Sequence, residues 1–266
     1  MTSSPVTFPR VLASEAGKMT GVRTLRWTAL SCVAVAAGTA FGLSLFARPG
    51  GGATGASLAV AGHVLAQLGF LALGVTAGTE EFRTKLAHVT FLAVPRRLPV
   101  LAAQAVVTAV LASVTAAVAL VASIAVTAAR RDALGLPLNL ADAETVRMLA
   151  GFVLHQTAIA LVGLGLGALL RRPAGAFVTA VVGVVVLDQF LAMNPGRFPD
   201  TVRAFLPGAG TRLLTGDDRL AALDAASSGP HLEPWAAGLL VAGWATVLLA
   251  AAATRLRRGD IASWEK

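Results

Sequence analysis

Six runs of mostly apolar residues, at approximately 27–47, 58–79, 100–128, 148–170, 174–192 and 235–254, exclude an ordinary water-soluble domain. Each can cross the ~30 Å of hydrocarbon in a bilayer, which takes about 20 residues of α-helix. A helix satisfies its own backbone hydrogen bonds inside lipid, where no water can do so. Charged residues make up 14% of the chain and hydrophobic ones 56%, with a mean hydropathy of +0.73; a soluble domain carries roughly a quarter charged residues. The fold class is an all-α polytopic membrane protein, one transmembrane domain over residues 1–266 with six transmembrane helices.

Polar segments at 48–55, 80–99, 130–147, 171–173 and 193–234 separate the runs. The shortest, Arg171-Arg172-Pro173, predicts a tight turn, because proline breaks a helix and two arginines are costly in hydrocarbon. The third run, 29 residues, would be about 44 Å long as a helix and so tilts or projects beyond the bilayer. Cys32 is the lone cysteine, which excludes an intramolecular disulfide and a cysteine metal cluster; it is expected to pack. A cleaved leader is not expected, since the first run exceeds the usual length of roughly 7–15 residues and no small-x-small site follows cleanly before Arg48.

With six spans, both termini share one side. That side holds 14 Lys and Arg and the other 8; acidic residues split 5 to 8, with Asp188 inside a span, so the nets are +9 and 0. The positive-inside tendency then places both termini in the cytoplasm. The net charge of +8 is read as an orientation signal with some contact to lipid headgroups; no nucleic-acid partner is expected.

Along residues 10–23, Leu12, Ala16, Met19 and Val22 fall near one helical face, with Ser14, Glu15, Lys18 and Arg23 polar. This predicts a short interfacial helix before the first span. The spans are rich in Ala, Gly and Val, which lets helices approach closely. Gly163, Gly165 and Gly167 in the fourth span, and Gly38 with Gly42 in the first, are expected to serve packing within the chain. The segment 193–234 mixes Phe198, Phe205, Leu206, Leu213 and Leu214 with prolines, then a helical stretch from Asp217. It is predicted to fold back on the bundle, kept from deep lipid by Arg197, Arg203, Arg212 and Arg219.

Catalytic motifs are missing. No Gly-x-x-x-x-Gly-Lys-Ser/Thr loop, His-Glu-x-x-His or Gly-x-Ser-x-Gly occurs, so neither nucleotide hydrolysis nor a metal site is expected on this chain. Polar residues of a possible translocation path are Asp188, His155, Gln156, His63 and Gln67. Asp188 near the end of its span reads first as hydrated, and the others as interhelical hydrogen-bonding groups.

Residues 80–99 are more specific. Phe82, Leu86, Val89 and Ala93 recur at helical spacing, other faces are charged, and Pro95 ends the pattern. This predicts a short amphipathic helix between the second and third spans.

Glu81-Phe82-Arg83 with Thr90, then Ala93-Val94-Pro95-Arg96-Arg97, resembles the first cytoplasmic loop of membrane subunits of bacterial type-2 ATP-binding-cassette exporters. Ser14-Glu15 with Lys18 and Arg23 is similar to that family's N-terminal elbow. Phe205-Leu206-Pro207-Gly208-Ala209-Gly210 resembles its late external segment, and Arg257-Arg258-Gly259-Asp260 its basic tail. Departures are Ala16, Lys85, His88 and Gln104, where an aromatic, a small, a basic residue and a lysine are usual. The resemblance implies a permease subunit in the bacterial plasma membrane, paired with a second membrane subunit, alike or different. A separate ATP-binding subunit would carry ATP and magnesium, with no cofactor on this chain. Glu81, Arg83, Thr90, Pro95, Arg96 and Arg97 would form a coupling helix against that subunit. Two rival readings are an ion- or proton-coupled transporter using Asp188, which calls for inverted repeats and several buried carboxylates, and a non-transporting scaffold or immunity-type protein.

Overall fold

A computed structural model describes residues 7–21, 23–83 and 97–258. Among them all regular structure is helical. Helix α1 spans Phe8–Gly21, α2 Arg23–Ser44, α3 Gly55–Val60, α4 His63–Arg83, α5 Arg97–Ala133 and α6 Ala143–Leu170. Then come α7 at Pro173–Val181, a π-helical turn at Val182–Val186, α8 at Leu187–Ala192, α9 at Arg197–Ala204, a 3₁₀ helix at Pro207–Leu214, α10 at Asp217–Ala226 and α11 at Pro234–Arg258. Six helical stretches are long and apolar enough to cross a membrane: Arg23–Ser44, Gly55–Glu80, Leu98–Ala133, Ala143–Leu170, Pro173–Ala192 and Pro234–Leu256, here spans 1 to 6. Spans 2 and 4 are 61% buried and the others 22–33%, so these two form the core and the rest surround them.

Glycine makes that core possible. On span 2 a Cβ at Gly74 would fall 1.8 Å from the Ala160 carbonyl oxygen, and one at Gly78 2.5 Å from that of Leu164. From span 4, a Cβ at Gly163 would meet the Leu71 oxygen at 2.5 Å and one at Gly167 that of Val75 at 2.8 Å. Two Gly-x-x-x-Gly pairs thus interlock backbone to backbone. Gly165 instead admits Leu248 of span 6. Gly38 and Gly42 depart from expectation: a Cβ at either meets nothing within 4 Å. Span 1 turns Cys32, Ala36, Ala40 and Ser44 inward, which leaves its glycine pair on another face.

The turn between spans 4 and 5 is as tight as Arg-Arg-Pro predicts. Arg171 caps α6 at φ 59°, and Pro173 opens α7, the first helical turn being where its missing N–H costs nothing. Span 3 runs further than its apolar run, because α5 has 37 residues, about 56 Å at the usual rise. Arg130 on its last turns donates to the Ser44 and Ala47 carbonyls at 3.2 and 2.7 Å, satisfying the end of span 1. Span 2, expected as one helix, is divided at Ala61 and Gly62. A Cβ at Gly62 would meet the Ala36 oxygen at 2.1 Å. His63 Nδ1 donates to the freed Val60 carbonyl at 3.0 Å.

Helix α1 packs along span 3, with Val11 against Val100 and Ala103 and Met19 against Leu25, Ala77 and Leu164. The buried face is Val11, Glu15 and Met19, a rotation from the predicted Leu12, Ala16 and Met19; Val22 lies outside the described residues. Glu15 is only 3% exposed and is neutralised by Lys18 Nζ at 2.6 Å, which lets a carboxylate sit against a neighbouring helix. Ser14 and Arg23 are exposed.

Candidate functional site

Residues 193–233 form a folded cap on the end of the bundle opposite the one where α4 stops and α5 starts. Arg147, on the first turns of α6 and 8% exposed, reaches under it. Its guanidinium donates to the carbonyls of Arg212, Leu213 and Thr215 at 3.1, 3.5 and 3.0 Å, and to Asp217 Oδ1 at 2.7 Å. The Arg212 carbonyl also accepts the Thr215 N–H at 3.3 Å, whereas those of Leu213 and Thr215 are among the carbonyls left open where the 3₁₀ helix ends. Leu213 is buried in a notch left by Gly151 of span 4 and Gly238 of span 6. Trp244 Nε1 of span 6 donates to the Phe205 carbonyl at 2.9 Å. The predicted fold-back is thus realised, and the helix from Asp217 forms as read.

Arginines of the cap hold its acids. Arg212 forms a bidentate pair with Asp224 at 2.7 and 2.8 Å and donates to the Leu232 carbonyl at 2.6 Å; His231 Nδ1 lies 3.2 Å from the same carboxylate. Arg203 Nε donates to Asp188 Oδ1 at 3.1 Å. Asp188, expected to be simply hydrated, is an ion-paired anchor for the cap. A π-helical turn directly before it inserts an extra residue and re-aims the side chains beyond it. These groups line a cavity of about 680 Å³, open to solvent.

The Arg212 hydrogen bonds hold the Asp224 carboxyl below the usual carboxylate range. A group with a depressed folded value stabilises above the unfolded value, about 3.9 for Asp, and that stability is lost as pH falls through the lower folded value. Limited proteolysis of 193–233 should therefore be slow down to about pH 4 and accelerate below it. Asp224→Asn should be cut faster even at neutral pH; equal cutting at pH 7 would show the pair to be idle.

Beneath the cap, His63, His155 and Gln156 come together at the break in span 2. Gln156 Nε2 donates weakly to the His63 carbonyl at 3.4 Å. His155 and Gln156 are 1% and 0% exposed, and neither ring nitrogen of His155 nor Oε1 of Gln156 has a partner. The 3₁₀ helix covers them, with Gly210 against His155 and Gly208 against Asp188. Gln67 turns away to the Val64 carbonyl of its own helix at 3.1 Å. Of the four predicted interhelical groups, one side chain, Gln156, makes the expected bond between spans; His63 and Gln67 spend their side chains on carbonyls of their own span.

Sequence reading missed Arg147 and Arg131, taking both as charges flanking a loop. Each borders an apolar run by position alone, yet its side chain runs back into the protein. Thr90, Pro95 and Arg96, with the side chains of Glu81, Arg83 and Arg97, lie outside the described residues. Among the described residues no group of three or more His, Cys, Asp or Glu could hold a metal ion. No protein-family model and no curated protein matches the chain; among the described residues all regular structure is helical and six helices are long and apolar enough for a multi-pass membrane protein.

Proposed function

We propose that the chain is the membrane subunit of an ATP-binding-cassette exporter of bacterial plasma membranes, pairing with a second membrane subunit around a substrate route. The observation that carries this reading is the pairing of two parts. The six-span bundle has a helix at its N-terminus packed sideways on span 3, and the 80–99 segment reads Glu-Phe-Arg to Pro-Arg-Arg. The chain has no phosphate-binding loop, so ATP would be bound and hydrolysed on a separate subunit seated on that segment at the cytoplasmic side. Closure of the ATPase pair would press the segment and shift the bundle between inward- and outward-open populations. Asp188 offers little to an ion-coupled mechanism, because Arg203 already neutralises it.

Co-expression with a phosphate-loop ATPase encoded beside this chain tests the reading. The two should co-purify, and Arg83→Glu combined with Arg96→Glu should lower recovery of the complex at least about tenfold, a loss of ~1.4 kcal/mol in affinity. Unchanged assembly and unchanged ATPase stimulation in the double variant would overturn the assignment of this segment.

A further inference from the structure

Arg131 is a buried cation without a counter-ion among the described residues. It stands on the last turn of α5 and is 7% exposed, but its side chain does not reach outward to water as long basic side chains near span ends usually do. It runs back along its own helix, and Nη2 donates to the carbonyl of Ile124, seven residues earlier, at 3.0 Å. That is about 10 Å towards the bundle interior. Its Nε is buried with no partner. Among the described residues no carboxylate lies within 4 Å of it, whereas Arg147, Arg203 and Arg212 each have one.

The surroundings add donors and no acceptor charge. Ser123 and Thr127, two turns and one turn back on the same side of α5, are both 0% exposed. Thr127 Oγ1 donates to the Ser123 carbonyl at 2.7 Å, and Ser123 Oγ has no partner. A guanidinium has five N–H donors, and only Nη2 makes a hydrogen bond to protein here. Arg130 next to it turns to the end of span 1 and, as a second cation, supplies no compensation. A buried charge left in this condition is strongly destabilising, and a planar donor fork is suited to two oxygens of one anion.

We propose that the Arg131 guanidinium is a binding site for an oxyanion group, a phosphate or a carboxylate, at the cap end of span 3. The site is independent of the exporter reading. Two sources present this chemistry: the headgroup phosphate of a phospholipid and a small soluble anion.

Thermal unfolding of the full chain, purified in phospholipid-free detergent and chloride buffer, separates them. Inorganic phosphate, acetate and a short-chain phosphatidylglycerol are the probes. Ligand binding to the folded state raises the midpoint, and a saturable rise of at least about 3 °C is expected for wild type, with none for Arg131→Met. Arg131→Gln, which keeps a polar hydrogen-bond donor at the position and removes the charge, makes the same comparison if the methionine variant does not fold. A response to phosphate or acetate identifies a soluble-anion site, and a response to the phospholipid alone identifies a headgroup site. A wild-type protein moved by no probe, or variants that respond as wild type does, overturns the site.

Discussion

Gly74→Ala is expected to be the most damaging small substitution in this protein, costing about 3 kcal/mol or more. The added carbon would sit 1.8 Å from the Ala160 carbonyl oxygen. That atom is backbone, so no rotamer change and no trimming of a side chain on span 4 can make room; spans 2 and 4 must separate. Separation also unseats Gly78, Gly163 and Gly167, which rely on the same approach, and exposes a core built around Phe70, Leu71, Phe152 and Ile159. The readout is monodisperse protein recovered in detergent and its unfolding midpoint. Gly42→Ala is the matched control. Nothing lies within 4 Å of its new carbon, and alanine favours a helix by up to about 1 kcal/mol over glycine, so the midpoint should hold or rise. Equal losses for the two variants would mean that the close backbone approach of spans 2 and 4 is not what makes Gly74 sensitive.

Arg147→Ala ranks second, with an expected cost of about 3 kcal/mol concentrated in the cap. The exposed ion pair with Asp217, whose side chain is 68% accessible, contributes little. The larger loss is at the end of the 3₁₀ helix, since a charged donor is worth about 1.5–3 kcal/mol and its removal leaves the Leu213 and Thr215 carbonyls unpaired, while that of Arg212 keeps the Thr215 N–H. Proteolysis within 193–233 should rise at least tenfold while the spans stay intact. Arg147→Lys should recover little, because one ammonium cannot serve carbonyls spread over four residues. Rapid cleavage of wild type at the same sites would show that Arg147 does not secure the cap.

The spans were legible because lipid demands long apolar stretches, and the Arg171–Pro173 turn because arginine and proline each forbid continuing. The fold-back of the cap and α10 followed from apolar residues and an Asp-led helical stretch in a segment too greasy to float, while the 3₁₀ helix at Pro207–Leu214 did not. The features that escaped the sequence depend on direction. Gly38 with Gly42 and Gly163 with Gly167 have identical spacing, yet the first pair meets nothing in the described chain and the second locks the core. Gly74 and Gly78 show the same spacing and become readable once a facing pair is known. The α1 face was rotated because burial of Glu15 depends on Lys18 three residues on, which hydrophobic periodicity alone scores as polar. The break in span 2 left no proline or charge to announce it; it coincides with the close approach of Gly62 to Ala36 of another helix.

That break gives one membrane crossing two allegiances. Below it, α4 is interlocked with α6 through the glycines. Above it, α3 abuts the 134–142 segment, where a Cβ at Gly55 would meet the Pro137 oxygen at 2.7 Å. Under the exporter proposal, force entering at the C-terminal end of α4 would travel through α4 and α6 as one beam. At Ala61 and Gly62 the helix is interrupted, so a displacement of the lower piece is not imposed rigidly on the upper one, which is seated against both span 3 and span 4.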